Sequence, residues 1–224
     1  MAEDDYRQAN EELSREVSEA LGALGADRLF VASSGAAAHA EDPEASHDLR
    51  LYGRLKRDDE ELFANWAAER PGRRAAIARI YSLSGPHINK HQTYALASFI
   101  VDALAGQGIS IKAQVPVTRS YVAIRELMSL VFSSLLADDG EQVLRFDSGG
   151  DPHELGDLAR CIAAAIGPVP VNRAPICDGP ANHYVGDDRR YRELLAQHRI
   201  EHVDLVTQVL ETAAFISTQP EFTK

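Results

Sequence analysis

The run that most constrains this chain lies between Leu29 and Tyr81 and reads strand, helix, strand. The apolar stretch Leu29-Phe30-Val31-Ala32 breaks into Ser33-Ser34-Gly35, and a second stretch, Ala75 to Tyr81, is followed by Ser84-Gly85-Pro86. Between them Tyr52 to Glu69 carries a helical pattern that Arg70-Pro71-Gly72 stops. A helix joining two strands is a crossover rather than a hairpin, so the strands should pair in parallel. The expected class is α/β.

The remaining pattern fits that class. Leu13, Val17, Ala20, Leu21 and Leu24 recur at helical spacing over Tyr6 to Leu24, and Gly25 closes that helix. Ala40 to Arg50 is rich in Glu, Asp, His and Pro without periodicity, which reads as a surface loop able to act as a lid. Thr93 to Ala105 reads as a helix, Ile109 to Ile111 as a strand and Tyr121 to Leu136 as a helix. A strand near Val143 to Phe146, a helix near Pro152 to Ile166 and a short strand near Val169 to Val171 follow, and helices over Asp188 to Gln197 and Val203 to Ile216 close the chain.

At 224 residues and 45% hydrophobic content the chain can bury a full core. A formal charge of −11, with no basic stripe to offset it, argues against nucleic acid as a partner. Cys161 and Cys177 have no metal-ligand spacing, and His87-x-x-x-His91 and His198-x-x-x-His202 have no third ligand nearby in sequence, so no metal is expected. Two cysteines and an acidic amino terminus without an apolar signal core predict a cytoplasmic protein, neither secreted nor inserted in a membrane. Met1 followed at once by a helical pattern reads as a genuine start.

The chemistry expected sits at the first strand's end. Tyr52 and Lys56 are four residues apart, on one helix face, where an ammonium can lower the pKa of a phenol from its usual value of about 10. The hydroxyl of Ser34, at the carboxyl end of the strand, can hold a substrate oxygen against that Tyr. Ser34, Tyr52 and Lys56 are therefore the candidate catalytic set.

In this order the residues resemble the extended short-chain dehydrogenase/reductase family, the NAD-dependent epimerases and dehydratases of nucleotide sugars. Ser34, Tyr52 and Lys56 match its catalytic Ser, Tyr and Lys, and Asn10 matches an Asn in the preceding helix. Arg79-Ile80-Tyr81-Ser82-Leu83-Ser84-Gly85-Pro86 is similar to its Arg-x-x-Asn-x-x-Gly-Pro segment, with Ser82 for Asn. Arg119-Ser120-Tyr121-Val122-Ala123-Ile124 is similar to its Arg-x-Tyr-x-x-Val segment, with Glu126 for the Asp that follows. The resemblance implies that Ser82, Arg119 and Tyr121 bind substrate, Arg119 through a diphosphate. Gly35 and Ala36 stand where dehydrating members carry Asp-Glu, which argues against dehydration of that type.

The family's opening strand, its glycine-rich turn and several further strands have no counterpart in this sequence, and Gly22-x-x-Gly25 ends a helix instead of opening one. The expected fold is thus a partial doubly wound, Rossmann-like parallel sheet keeping the later strands, over residues 1–115, interleaved as one compact unit with a small substrate-binding α/β portion over 116–224. Without a glycine turn for the pyrophosphate, no tightly bound NAD is expected, and NAD(P) only if a partner supplies the missing half. The truncated sheet leaves Leu29 to Ala32 at an edge, so a homodimer covering that strand or the Tyr6 to Leu24 helix is expected. Three functions compete. One is an enzyme using Ser34, Tyr52 and Lys56 for isomerisation, elimination, condensation or cyclisation of a small, nucleotide-linked substrate. The second is half of a split NAD-dependent epimerase or reductase, and the third a non-catalytic interaction protein.

Overall fold

The structure, a computed structural model, describes residues 3–137 and 140–220. In chain order its first elements are α1 (Glu3–Ala23), β1 (Arg28–Ser34), α2 (His47–Ala68), β2 (Arg74–Ile80), β3 (Leu83–Ser84), α3 (Ala95–Leu104), β4 (Ile109–Ile111), β5 (Val117–Ser120) and β6 (Val122–Ala123). They are followed by α4 (Ile124–Leu136), β7 (Val143–Asp147), β8 (Pro152–Glu154), α5 (Leu155–Ile166), β9 (Val171–Arg173), β10 (Asn182–Tyr184), α6 (Arg189–Gln197) and α7 (Leu205–Ile216). No helix among the described residues is long and apolar enough to cross a membrane.

These elements form two compact units. The first holds the described residues up to Ile80 and those of Leu130–Ser148; the second holds Tyr81–Ser129 and the described residues from Gly149 onward. The division falls at Tyr81, and each unit draws on two stretches of chain. Local signals along the sequence do not fix where that exchange falls, because it depends on which strands finally pair.

In the first unit the sheet order is β1-β2-β7 and both pairings are parallel, with Val31 opposite Ile77 and Ile77 opposite Arg145. The expected crossover is present. Val31, Phe63, Trp66, Ala67, Ala75 and Ile77 form the core between α2 and the sheet, with Leu21, Leu29 and Val143 packed against it. Among the described residues β1 pairs on one side only, which leaves it as an edge. Three acids, Glu3, Asp4 and Asp5, open α1, where the helix dipole favours them. Gly25, at φ +61°, closes it, and the Ala26 N–H donates to the Leu21 carbonyl at 3.0 Å. The Gly22-x-x-Gly25 sequence is a helix stop, as its position implied.

The second unit is built on short pairings: β10-β5-β8, in which β5 runs parallel to β10 and antiparallel to β8, and the parallel pairs β3-β6 and β4-β9. Ile109 and Ile111 of β4 pack with Leu96, Phe99 and Ile100 of α3, Leu158 and Ile162 of α5, and Val209 and Ile216 of α7. Two of the helix starts that differ from expectation have a clear local cause. α2 begins at His47 because the Ser46 hydroxyl caps it, accepting from the Leu49 N–H at 3.2 Å. α4 begins at Ile124, not Tyr121, because the Val122 N–H donates to the Ser82 carbonyl at 3.0 Å and Val122–Ala123 pairs with Leu83–Ser84.

Candidate active site

Ser34 ends β1 in an extended conformation, φ −133° and ψ 147°, and caps the 3-10 turn Gly35–His39. Its Oγ accepts from the Ala36 N–H at 3.2 Å, which orients the hydroxyl. The turn is buried at Gly35, Ala36 and Ala37, and α2 lies directly on it. A Cβ at Gly53 would collide with the Ala36 carbonyl oxygen and stand 3.2 Å from the Ala40 Cα. The missing side chain at Gly53 therefore lets the helix carrying Tyr52 and Lys56 close onto the strand end carrying Ser34. Sequence reasoning passed over Gly53, although a Gly inside a helical pattern is the signal that marks such an approach.

Tyr52 and Lys56 share one face of α2, with Lys56 Nζ 6.0 Å from the Tyr52 ring centroid. The ammonium also has a second partner, donating to Asp59 Oδ2 at 2.8 Å. Asp59 Oδ1 accepts from the Ser14 hydroxyl at 2.5 Å, and Ser14 Oγ lies 3.0 Å from the Asn10 carbonyl oxygen. Asn10 donates through Nδ2 to the Tyr6 carbonyl at 2.8 Å, so its contact with this set runs through its own backbone and Ser14.

A further polar cluster ties α2 to the sheet. Glu60, 1% exposed, accepts from the Ser33 hydroxyl at 2.5 Å and from Arg79 in a two-pronged pair, Nε at 2.9 Å and Nη2 at 2.7 Å. Glu60, Arg79, Arg145 and Asp147 line an open pocket of about 180 Å³ together with Ile77 and Phe146. The acidic loop expected to act as a lid is instead fastened to α2. Arg50 Nη1 reaches the carbonyls of Asp42, Pro43 and Ala45, and Arg57 pairs with Glu41 at 2.6 Å.

Ser82, Arg119 and Tyr121 all fall in the second unit. The Ser82 carbonyl accepts from the Val122 N–H and its side chain is half-buried. Arg119 Nη1 donates to the carbonyls of Thr118 and Asn182 at 2.8 and 3.2 Å, and its guanidinium lies 5.8 Å from the Tyr184 ring centroid. Burial lowers the Arg119 pKa. Tyr184 in turn packs against Tyr81, with centroids 4.8 Å apart. Tyr121 departs from the expected role: at 4% exposure it belongs to the second unit's core, and burial pushes its phenol up to about 12. Asp187 is clasped by Arg189 and held down at about 2.

The chain shares its fold with several solved structures of sugar-nucleotide enzymes. UDP-N-acetylglucosamine 4-epimerase from Methanobrevibacter ruminantium M1, in complex with UDP-N-acetylmuramic acid, superposes with a TM-score of 0.73 at 18% identity, over 96% of this chain and 71% of that chain. TunA, an NAD dependent NDP-hexosamine 5,6-dehydratase of tunicamycin biosynthesis, gives 0.71 at 15% identity, over 97% and 72%. UDP-glucuronic acid 4-epimerase from Bacillus cereus gives 0.68 at 15% identity, over 93% and 67%, and is solved with UDP-glucuronic acid and NAD. No curated protein matches the chain in sequence.

The expectation that no NAD is held tightly is corrected by two of these neighbours, the Bacillus cereus epimerase, which is solved with NAD, and TunA, which is described as dependent on it. The donors present suit one end of such a cofactor: the Tyr52 hydroxyl and the Lys56 ammonium match the hydroxyl-rich nicotinamide ribose. For the pyrophosphate, no glycine-rich strand-to-helix turn occurs among the described residues. The description "NAD dependent epimerase/dehydratase family" belongs to the family model that matches residues 2–144, and with its parallel sheet and its Ser, Tyr and Lys in order, this chain belongs to that family.

Proposed function

We propose that this chain provides the acid/base half of a nucleotide-sugar epimerase. The observation that carries the reading is local: Tyr52 and Lys56 lie on one face of α2, and Gly53 lets that helix close onto the turn capped by Ser34. NAD, when bound, supplies a hydride acceptor and donor for a sugar carbon. The chain's own work is to move one proton. The Ser34 hydroxyl holds the oxygen on that carbon, the Tyr52 phenolate, stabilised by the Lys56 charge, takes its proton, and the phenol so formed later returns it. Epimerisation is favoured over dehydration because the turn after Ser34 is Gly35-Ala36-Ala37, which offers no carboxylic acid to protonate a leaving hydroxyl.

In the second unit Arg119 keeps guanidinium N–H groups beyond those on the Thr118 and Asn182 carbonyls, a donor set suited to the diphosphate of a nucleotide-linked substrate. The open edge of β1 supports a completing segment, in which further parallel strands carrying the pyrophosphate-binding turn add beside β1. The same need for cover extends to the exposed face of α1, which has no fully buried side chain, and we assign that face to a second copy of the chain.

Tyr52→Phe tests the reading. The ring keeps its packing and only the proton-carrying oxygen is lost, so turnover of a UDP-sugar with NAD should fall by about a hundredfold or more while circular dichroism stays unchanged. Unchanged turnover would reduce the motif to a relic. Tyr121→Phe is the control, since its buried phenol should affect stability without removing the acid/base step.

A further inference from the structure

Asp59 belongs to no motif that the sequence or the family resemblance singles out, yet it holds the ammonium on which the proposed chemistry depends. Tyr52, Lys56 and Asp59 stand at i, i+4 and i+7 on α2, which places them on one stripe of a helix with 3.6 residues per turn. The pair is anchored at its far end, because Lys56 Nζ donates to one carboxylate oxygen at 2.8 Å while Ser14 of α1 donates to the other at 2.5 Å. Its side chains are 22% and 18% exposed, so water and salt screen it less than an ordinary surface pair. By Coulomb's law a carboxylate there opposes the help that Lys56 gives to a phenolate on the same stripe. It also competes for Lys56 N–H donors that a ligand hydroxyl would use.

Resting on the reading of Tyr52 as proton carrier, we propose that Asp59 is a positioning residue: fixed by Ser14, it holds the Lys56 ammonium and damps its effect on Tyr52 until a ligand hydroxyl beside Tyr52 draws that ammonium away. The device links α1 to the acid/base pair through one hydroxyl. Asp59→Asn removes the charge but leaves an amide oxygen for Ser14, so the helix contact persists.

The test reads Lys56 directly, by limited acylation with an amine-selective ester and mass spectrometry, using Lys90 and Lys112 of the same chain as internal standards. The Lys56 amine is held on Asp59 at 2.8 Å, so releasing it in Asp59→Asn should raise relative Lys56 labelling about fivefold, and Ser14→Ala by about twofold through a loosened carboxylate. At about pH 9.5 the part of the phenolate absorbance that depends on Tyr52, obtained by subtracting the Tyr52→Phe background, should be larger in Asp59→Asn than in the parent protein. Lys56 labelling that is equal in Asp59→Asn and parent overturns the proposal, and so does raised labelling with an unchanged Tyr52 signal. Neither result bears on whether Tyr52→Phe abolishes turnover, so the two readings fail separately.

Discussion

Glu60 shows how a single buried side chain can hold a reaction site that it does not touch. One carboxylate oxygen takes the Ser33 hydroxyl, next to Ser34, and both take the Arg79 guanidinium, so α2, β1 and β2 are joined through one nearly inaccessible group. Truncating a buried charge pair costs more than the pair contributes, because the remaining partner is left poorly solvated. Arg79 is about one-third exposed, which softens that penalty. Glu60→Gln should therefore lower stability by roughly 2–3 kcal/mol in urea unfolding, whereas Glu61→Gln, whose partner Arg145 is open to solvent, should cost less than about 1 kcal/mol. Equal effects would mean that the buried pair is not special. Ser34, Tyr52 and Lys56 were candidates from the sequence because motif spacing survives there. Asp59, Glu60 and Gly53 were not, because acids and small residues recur on any helix and only packing against Ser14, Arg79 and Ala36 gives these their roles.

At the scale of elements, Glu154 does for the second unit what Glu60 does for the first. It ends β8 and caps α5, accepting from the Gly156 N–H at 2.6 Å, from Arg173 of β9 at 2.7 Å and from the Val117 N–H of β5 at 3.3 Å. Arg173 is the largest cause holding its pKa down at about 2, with the two backbone donors adding to it and burial opposing. In the unfolded chain a Glu titrates near 4.3. The folded value is the lower one, so this stabilisation is complete above about pH 4.5 and is lost as pH falls towards 2. The urea midpoints of the parent and Glu154→Gln proteins should accordingly differ at pH 6 and converge through that window; a difference that stays constant with pH would rule out the charge as its source. The elements themselves were mostly legible, since α1, α5, α6 and α7 carry a clear 3.6-residue period. The strand β10 was not, because Asn182-His183-Tyr184 has no apolar alternation and is extended only through pairing with β5. The same holds for β6, whose Val122–Ala123 suits a helix until Leu83–Ser84 pairs with it.

For the molecule as a whole, the parallel class followed from the strand, helix, strand order and the edge position of β1 from the family strands without a counterpart, while the division at Tyr81 did not, since it depends on which distant stretches pack together. What the surface asks for next is cover. Over its 21 residues α1 has no fully buried side chain, and Leu13, Val17 and the adjoining Leu24 are 59%, 36% and 81% exposed, with Ala20 exposed between them. Their spacing of four, three and four residues is the seam of a helix that packs against another helix. A second copy presents the same seam, and two-fold pairing buries both at once. Sedimentation at micromolar concentration should therefore give twice the 24.5 kDa of one chain. Leu13→Glu combined with Leu24→Glu places charge on the seam without touching Ser14 or Asp59, and should yield a monomer of unchanged helical content. A parent protein that sediments as a monomer would count against the dimer altogether. A dimer that survives both substitutions would move the interface from α1 to the open edge of β1, where pairing through backbone N–H and C=O groups is indifferent to side chains on the helix.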